Sequence, residues 1–188
     1  MNEFVIYINE IIPLEAEAKA DFGCRIKSKE YRKGQVIVSE SSICGNLFFL
    51  KNGLVKFYFI SNEGKEVIFR FFGENSVFTS LESFLTQKGT PHIIVALERT
   101  KVDFLSKQDL EELCLKYHSF EKFYRLILSI ASINMIKRFS ELMKDDASVR
   151  YSKFVFENNL LMQRISLGDL ANYLGITQVS LSRIRASR

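Results

Sequence analysis

The sequence predicts an α+β fold in which an all-β domain precedes a long helix and a small all-α domain. Short runs rich in β-branched and aromatic residues fill residues 35–106, as is typical of strands. After Ser106 the apolar residues recur at steps of three and four, which is the spacing of a helix. Two short amphipathic segments separated by Gly175 occupy the last residues. We therefore predict three units, residues 1–117, 118–143 and 144–188.

The first unit should begin with helices and continue with strands. Apolar residues recur at helical intervals in 3–27, and Pro13 divides them into two short helices. Asn52-Gly53 and SNEG (61–64) have the composition of tight turns between strands. Regularly spaced short strands predict a β sandwich, barrel or jelly roll rather than a parallel sheet with crossover helices. The strand-like runs are QVIV (35–38), NLFFLK (46–51), GLVKFYFI (53–60), KEVIFRFF (65–72), IIVAL (93–97) and KVDFLS (101–106).

Residues 118–143 are predicted to form a helix that mediates dimerisation. A helix of about 25 residues extends about 37 Å, which is longer than one small domain covers. Its apolar stripe should therefore meet its copy in a second subunit, unless it packs on its own β domain. The segment KDDAS (144–148) is the predicted hinge, and another short helix is expected over 149–160. The stripe runs through Phe120, Phe123, Ile127, Ile130 and Asn134, the last as a polar residue that sets the register.

The charge of the chain is concentrated near its C-terminal end. Residues 1–136 carry 17 basic and 17 acidic side chains, whereas residues 137–188 carry nine basic and five acidic ones. A positive end on a neutral body is typical of a module that binds phosphate groups. A solvated basic surface would have the same composition, so the distinction depends on a motif.

Residues 166–185 supply that motif. Ser166 can cap a helix in which Asp169 is the third residue, and Gly175 can end it. Thr177 can cap a second helix almost immediately. The apolar positions are Leu167, Leu170, Ala171 and Leu174 on the first helix and Leu181 and Ile184 on the second. This pattern indicates a helix-turn-helix, although a hairpin used only for packing would share part of it.

The opposite face of the second helix carries side chains that suit DNA. Arginine can bond guanine O6 and N7, glutamine suits adenine, and valine can contact a thymine methyl group. Thr177, Ser180 and the helix N-terminus are placed for phosphate oxygens. Arg188 projects towards the inner side and is predicted to be a tail. The candidate DNA-binding residues are Thr177, Gln178, Val179, Ser180, Ser182, Arg183 and Arg185.

The order of a β-roll, a long helix and a helix-turn-helix resembles the Crp/Fnr family of bacterial transcription regulators. The resemblance is carried by FFGEN (71–75), the helix 118–143 and LANYLGITQVSLSRIR (170–185). It implies a homodimer with a cyclic-nucleotide-binding-like jelly roll as sensor domain, and base readers at Gln178, Val179, Ser182 and Arg183. The implied partners are double-stranded DNA with a palindromic operator, a second copy of the chain, an unidentified small-molecule effector and RNA polymerase.

The chain departs from that family in its effector site. Family members that bind cyclic nucleotides hold the phosphate with an arginine after this segment, yet no arginine occurs between Arg70 and Arg99. Usual binding of cAMP is therefore not expected, and Gly73 and Glu74 remain the only candidate effector-binding residues. Lys88 is a poor replacement for the missing guanidinium.

No cofactor or metal is expected. Three scattered cysteines cannot hold an iron–sulfur cluster, and we interpret Cys24, Cys44 and Cys114 as reduced core thiols. His92 and His118 are expected to be structural or surface residues. Haem binding through one of them is the alternative that the sequence leaves open.

The sequence favours a regulator over other classes. A jelly-roll metalloenzyme would need a cluster of histidines, and the chain has only two. We therefore expect no catalytic residue and no enzymatic activity. Without a leader or an apolar run of about 20 residues, a cytoplasmic location without membrane contact is expected. The alternative function is that of a ligand- or cyclic-nucleotide-binding sensor without DNA-binding activity.

Overall fold

A computed structural model describes residues 2–187. Within them, two four-stranded antiparallel sheets face each other as a jelly roll. Sheet 1 has the strand order β1-β8-β3-β6, and sheet 2 has the order β2-β7-β4-β5. The strands are β1 (Lys27–Tyr31), β2 (Val36–Val38), β3 (Asn46–Asn52), β4 (Val55–Ile60), β5 (Glu66–Phe72), β6 (Ser76–Phe78), β7 (Ile93–Ala96) and β8 (Thr100–Ser106).

Helices precede the roll, interrupt it once and follow it. A short 3-10 helix, Asn159–Gln163, leads towards the last two α-helices. No helix among residues 2–187 is long and apolar enough to cross a membrane. The α-helices are α1 (Glu3–Ile11), α2 (Ala16–Arg25), α3 (Leu81–Thr86), α4 (Lys107–Lys116), α5 (His118–Lys144), α6 (Ala147–Glu157), α7 (Leu167–Leu174) and α8 (Gln178–Ala186).

All six predicted strands are confirmed, but the sequence prediction missed β1, β6 and α3. The sequence of β1 is KSKEY, and only Tyr31 in it is buried, so it lacks the apolar residues by which strands are recognised. Strand β6 has three residues and α3 has six. Both are too short for a periodic pattern to emerge.

The two predicted turns have different roles. The turn at residues 61–64 joins the hydrogen-bonded neighbours β4 and β5, with Gly64 at φ 74°. The turn at Asn52-Gly53, in contrast, passes from β3 in sheet 1 to β4 in sheet 2. Gly53 has φ 108°, and a Cβ atom there would lie 2.5 Å from Thr100 Oγ1. This crossing between sheets therefore requires glycine.

The described residues form three large apolar clusters, one between the two sheets and one on the outer face of each sheet. The roll interior is filled by both sheets, with Phe48, Val55 and Phe78 among its residues. Helices α1, α2, α4 and the start of α5 cover the outer face of sheet 1, where Leu47 and Phe49 point. The C-terminal helices cover the outer face of sheet 2. Because strand residues alternate between faces, each sheet contributes to two clusters.

Helix α5 divides into two parts. Phe120 and Phe123 are buried against α1, α2 and sheet 1 of the same chain, so the prediction that they meet a second subunit was wrong. Both residues lie in the first two turns of α5, next to α4, which packs against β8 of the roll. Ile127 is partly buried there, and from Ile130 onward the apolar side chains are exposed.

The cysteines are unbridged, and one of them is not in the core. Cys24 is exposed because the inner face of α2 is formed by Ala18 and Phe22, so its interpretation as a core thiol was wrong. Cys44 is buried, and Cys114 is half-buried with its pKa raised to about 11 by burial. Within the described chain, no group of three or more His, Cys, Asp or Glu side chains could hold a metal ion.

We expect Gly53→Ala to lower the free energy of unfolding by about 2–4 kcal/mol, because the new Cβ clashes with Thr100 and the backbone is held at positive φ. Gly23→Ala is the matched control: nothing lies within 4 Å of its Cβ position, inside α2. It should change stability by no more than about 1 kcal/mol, in the stabilising direction. Urea unfolding followed by circular dichroism measures both, and similar values would contradict the role assigned to Gly53.

Candidate nucleic-acid interface

The start of α7 is fixed by the predicted cap. Ser166 Oγ accepts a hydrogen bond from the Asp169 backbone N–H at 3.0 Å and lies 2.7 Å from Asp169 Oδ2, to which it donates. The first contact satisfies one of the backbone donors that a helix start leaves without partners, and the second orients the capping hydroxyl. Leu170 and Leu174 are buried on the inner face of this helix.

The turn between α7 and α8 is also as predicted. Gly175 is left-handed at φ 68°, and the Ile176 N–H donates to the Ala171 carbonyl at 3.0 Å. This is the Schellman arrangement, which satisfies the last carbonyls of a helix. Thr177 Oγ1 then accepts from the Ser180 N–H at 3.1 Å and starts α8. Two helices are thereby joined by a turn of fixed geometry.

Helix α8 presents its two faces as the sequence predicts. Leu181 is buried and Ile184 is partly buried in the apolar cluster that also contains residues of α7 and sheet 2. Ser180 is half-buried, and the other candidate DNA-binding residues are all exposed: Thr177, Gln178, Val179, Ser182, Arg183 and Arg185. Arg188 lies outside the described residues.

The donors on this face are free to meet a ligand. Among residues 2–187, no hydrogen bond or ion pair engages the side chains of Gln178, Arg183 or Arg185. The amide of Gln178 lies beside Gly168 at the start of α7: a Cβ atom added to Gly168 would be 2.8 Å from Gln178 Nε2. A guanidinium and a carboxamide that stand exposed on the first turns of a helix can both read base edges.

Two arginines that the sequence analysis missed hold the end of α7. Arg138 lies over the Tyr173 ring at 3.9 Å and donates to the Tyr173 carbonyl. Arg150 donates to the Leu174 carbonyl at 2.9 Å and to the Asp145 carbonyl at 2.5 Å. Cations are favourable at a helix C-terminus, where carbonyls lack partners. The predicted hinge is thus tied to the helix-turn-helix, and only the cationic type of these residues could have indicated it.

The outer face of sheet 2 supports the motif from beneath. Leu54, Ile68 and Phe71 of the roll share one cluster with Leu170, Leu174 and Leu181. The ring of Phe71 lies 5.7 Å from that of Tyr173. Helix α7 therefore rests on the β-roll and α8 packs against α7, with the polar face of α8 turned to solvent.

Gly73 and Glu74 face this C-terminal segment. A Cβ atom on Gly73 would lie 3.9 Å from Leu161. Glu74 accepts from the Gly53 N–H at 2.9 Å and from both terminal nitrogens of Arg164, at 2.8 and 2.9 Å. The hydrogen bonds from Arg164 lower the pKa of Glu74 to about 2. Its carboxylate is therefore ionised and already paired.

The interior of the roll is filled by side chains. Between ring centres, Phe48 lies 5.2 Å from Phe78 and stacks on it, and Phe72 lies 5.4 Å from Phe78. The ring of Phe104 lies 6.0 Å from that of Phe48. Two shallow clefts of about 230 Å³ each lie elsewhere. One lies on strands β1, β8 and β3 of sheet 1, beside Lys51 and Asp103, and the other lies beside Lys56 and Tyr58 on sheet 2.

His92 lies among aromatic side chains rather than near other metal-binding groups. Its ring is 4.9 Å from that of Phe57 and 5.2 Å from that of Phe69. Burial lowers the pKa of His92. His118 is exposed at the start of α5, 3.8 Å from Glu121. A structural role for His92 and a surface position for His118 agree with the sequence interpretation.

Residues 28–117 match the family model of the cyclic nucleotide-binding domain. The chain is 25% identical over 172 residues to the anaerobic regulatory protein of Haemophilus influenzae, an alignment that covers 84% of this chain and 65% of that protein. The chain thus spans slightly less than two thirds of the length of this curated relative.

Solved structures share the fold, FixK2 and CLP among them. FixK2 from Bradyrhizobium japonicum superimposes with a TM-score of 0.75 at 18% identity, covering 86% of this chain and 83% of that one. CLP of Xanthomonas campestris, described as a global regulator responsive to c-di-GMP, gives a TM-score of 0.74 at 15% identity, with 92% and 91% covered.

Removing the cap of α8 should loosen the first turn of the helix. We expect Thr177→Ala to lower the free energy of unfolding by about 1 kcal/mol, because the Ser180 N–H loses its acceptor. Ser182→Ala, an exposed change one turn along, is the control and should stay within about 0.5 kcal/mol. Thermal unfolding measures both variants. An unchanged Thr177→Ala variant would contradict the capping role.

Proposed function

We propose that the chain is a homodimeric transcription regulator of the Crp/Fnr family that reads a palindromic operator in double-stranded DNA. The β-roll is the sensor domain, α5 mediates dimerisation, and α8 is the recognition helix. RNA polymerase and an unidentified small-molecule effector are further proposed partners. The protein acts in the cytoplasm, without catalytic activity and without a cofactor.

The observation that carries this proposal is the exposed face of α8. Its arginines and Gln178 are unpaired within the described chain, and its first turn offers backbone N–H groups beside the Thr177 and Ser180 hydroxyls. Phosphate oxygens suit that first turn, which fixes the orientation of the helix in the major groove. Gln178, Val179, Ser182 and Arg183 then face the base edges, while Arg185 contacts a base or a phosphate.

Dimerisation is supported by the second half of α5. Ile136 and Phe139 are 66% and 65% exposed in the single chain, and Ile133 and Met143 beside them are equally open. A contiguous apolar surface of this kind marks an interface. A second copy of α5 covers it in the proposed dimer, which places two recognition helices about 34 Å apart, one turn of DNA. Asn134, half-buried in the chain, remains the proposed register residue.

The proposed signal passes from the roll through the paired α5 helices and the link at Asp145 and Asp146 to the recognition helices. The roll interior is filled by aromatic rings, so usual binding of cAMP is not part of the proposal. An effector that uses Gly73 and Glu74 would have to displace Arg164 from the Glu74 carboxylate. The alternative of a sensor without DNA binding gains no specific support from the filled roll.

Binding of the cognate operator should depend on Arg183 and on salt. We expect Arg183→Ala to weaken operator binding by about 1–3 kcal/mol and to relax preference at one base pair, because a bidentate contact to guanine is lost. Affinity of the unaltered protein should fall roughly tenfold to a thousandfold between 50 and 200 mM salt, as phosphate contacts release counterions. Fluorescence anisotropy with operator and random duplexes measures both effects.

The random duplex is the control for this experiment. An equal loss of affinity for all sequences would make Arg183 a phosphate contact. If the operator bound no better than random DNA, or if salt had little effect, the proposed function would be wrong.

Ile136→Glu should dissociate the dimer while leaving the chain folded. A charge buried at the interface without a partner should weaken self-association by about a hundredfold or more. Leu115→Glu is the matched control, since Leu115 is exposed on α4, away from the open face of α5. Sedimentation equilibrium measures both. A dimer that tolerates Ile136→Glu would place the interface elsewhere.

A further inference from the structure

The C-terminal helices and the β-roll are joined by one apolar cluster. Leu54, Ile68 and Phe71 from sheet 2 are buried together with Phe154 and Leu174. Apolar contacts of this kind stabilise a docked arrangement but select its orientation poorly, because the hydrophobic effect is not directional. Directional contacts at the rim of the cluster are needed to fix the helix-turn-helix in one orientation.

One such contact joins Lys56 of β4 to Asp169 of α7. Lys56 Nζ lies 2.8 Å from Asp169 Oδ1 and 2.5 Å from Glu66 Oε2. Burial acts to lower the pKa of Lys56, but the hydrogen bonds to Asp169 and Glu66 outweigh it and the pKa is raised. The cation also lies 4.7 Å from the Tyr58 ring centre. Lys56 therefore holds the first turn of α7 over sheet 2.

The second contact is centred on Arg164, two positions before the cap of α7. Its fork bonds both oxygens of Glu74, and its Nη2 is also 2.6 Å from Glu98 Oε1. Glu74 follows β5 and Glu98 precedes β8, so one guanidinium connects two loops of the roll. A bidentate pair within a network is stronger and more directional than an isolated surface pair.

We propose that Arg164 is a positioning residue for DNA recognition, which clamps the start of α7 to Glu74 and Glu98 and thereby sets the orientation of α8 relative to the β-roll. The roll then orients the recognition helix directly, in addition to the path through α5. Glu74, which the family resemblance assigns to an effector, serves here as the anchor of that clamp. The consequence for DNA rests on the proposed function, whereas the clamp itself does not.

The clamp is tested first without DNA, by hydrogen exchange of the full-length protein. Loss of Arg164 should let the C-terminal helices detach more often, so amides of α7 and of the edge strand β5 should exchange about tenfold faster in Arg164→Ala. Arg25→Ala is the matched control. Arg25 is as exposed as Arg164 and also binds carboxylates of two elements, Asp21 at 2.7 Å and Glu112 at 2.6 Å, but it joins α2 to α4.

Arg25→Ala should leave exchange in α7 and β5 unchanged. Arg164→Lys should fall between the unaltered protein and Arg164→Ala, because lysine cannot reproduce the bidentate fork. Glu74→Gln keeps an acceptor for the Gly53 N–H, and combining it with Arg164→Ala should add nothing further. Exchange in α7 and β5 that is unaffected by Arg164→Ala, or equally raised by Arg25→Ala, would overturn the clamp.

The effect on DNA is tested through the spacing of half-sites. Each inserted base pair rotates one half-site by about 34–36° relative to the other. With a fixed orientation, one insertion should weaken binding about tenfold or more, whereas in Arg164→Ala the loss should shrink to about threefold, with base preference inside each half-site unchanged. A general loss of folded protein would lower affinity for all spacings equally and would overturn the positioning role. If no duplex is bound specifically, the proposed function fails, while the exchange result still decides the clamp.

Discussion

The position of α8, the proposed recognition helix, depends on the packing of α7 against the outer face of sheet 2. The C-terminal helices span only about 40 residues, near the lower limit for a chain segment that folds on its own core. Leu54, Ile68 and Phe71 of the roll complete their apolar cluster. Because Leu181 and Ile184 are drawn into this cluster, the opposite face of α8 must point to solvent. The polar face that suits DNA is therefore a consequence of where the roll places its apolar residues.

Charge then specifies what apolar packing leaves undetermined. Lys56 meets Asp169 across the boundary between the roll and α7, as well as Glu66 on its own sheet, and Arg164 meets Glu74 and Glu98 across it. Arg138 and Arg150 hold the other end of α7. Among the described residues, no buried side-chain nitrogen or oxygen lacks a hydrogen-bond partner. Polar contacts that are fully satisfied add orientation at little loss of stability. Four cations thus secure both ends of one helix of eight residues.

What could be predicted from the sequence was local. The caps at Ser166 and Thr177 and the left-handed Gly175 act within four residues, so their patterns are visible in the chain, and the structure confirms them. The pairing of Arg164 with Glu74 joins residues 90 positions apart, and no local pattern reports it. For the same reason, the sequence did not reveal that the chain passes from sheet 1 to sheet 2 at Gly53. For α5, periodicity found the helix but could not tell that its first turns pack on the same chain.

The most direct test of these relations is selection of bound duplexes from a random-sequence pool by the purified, full-length protein. A homodimer with two recognition helices held in one orientation should enrich an inverted repeat whose half-sites are separated by one fixed spacing, about one helical turn from centre to centre. A pool that stays random would contradict sequence-specific binding. Enrichment of a single half-site, or of repeats with many spacings, would contradict the fixed orientation of α8 on the β-roll.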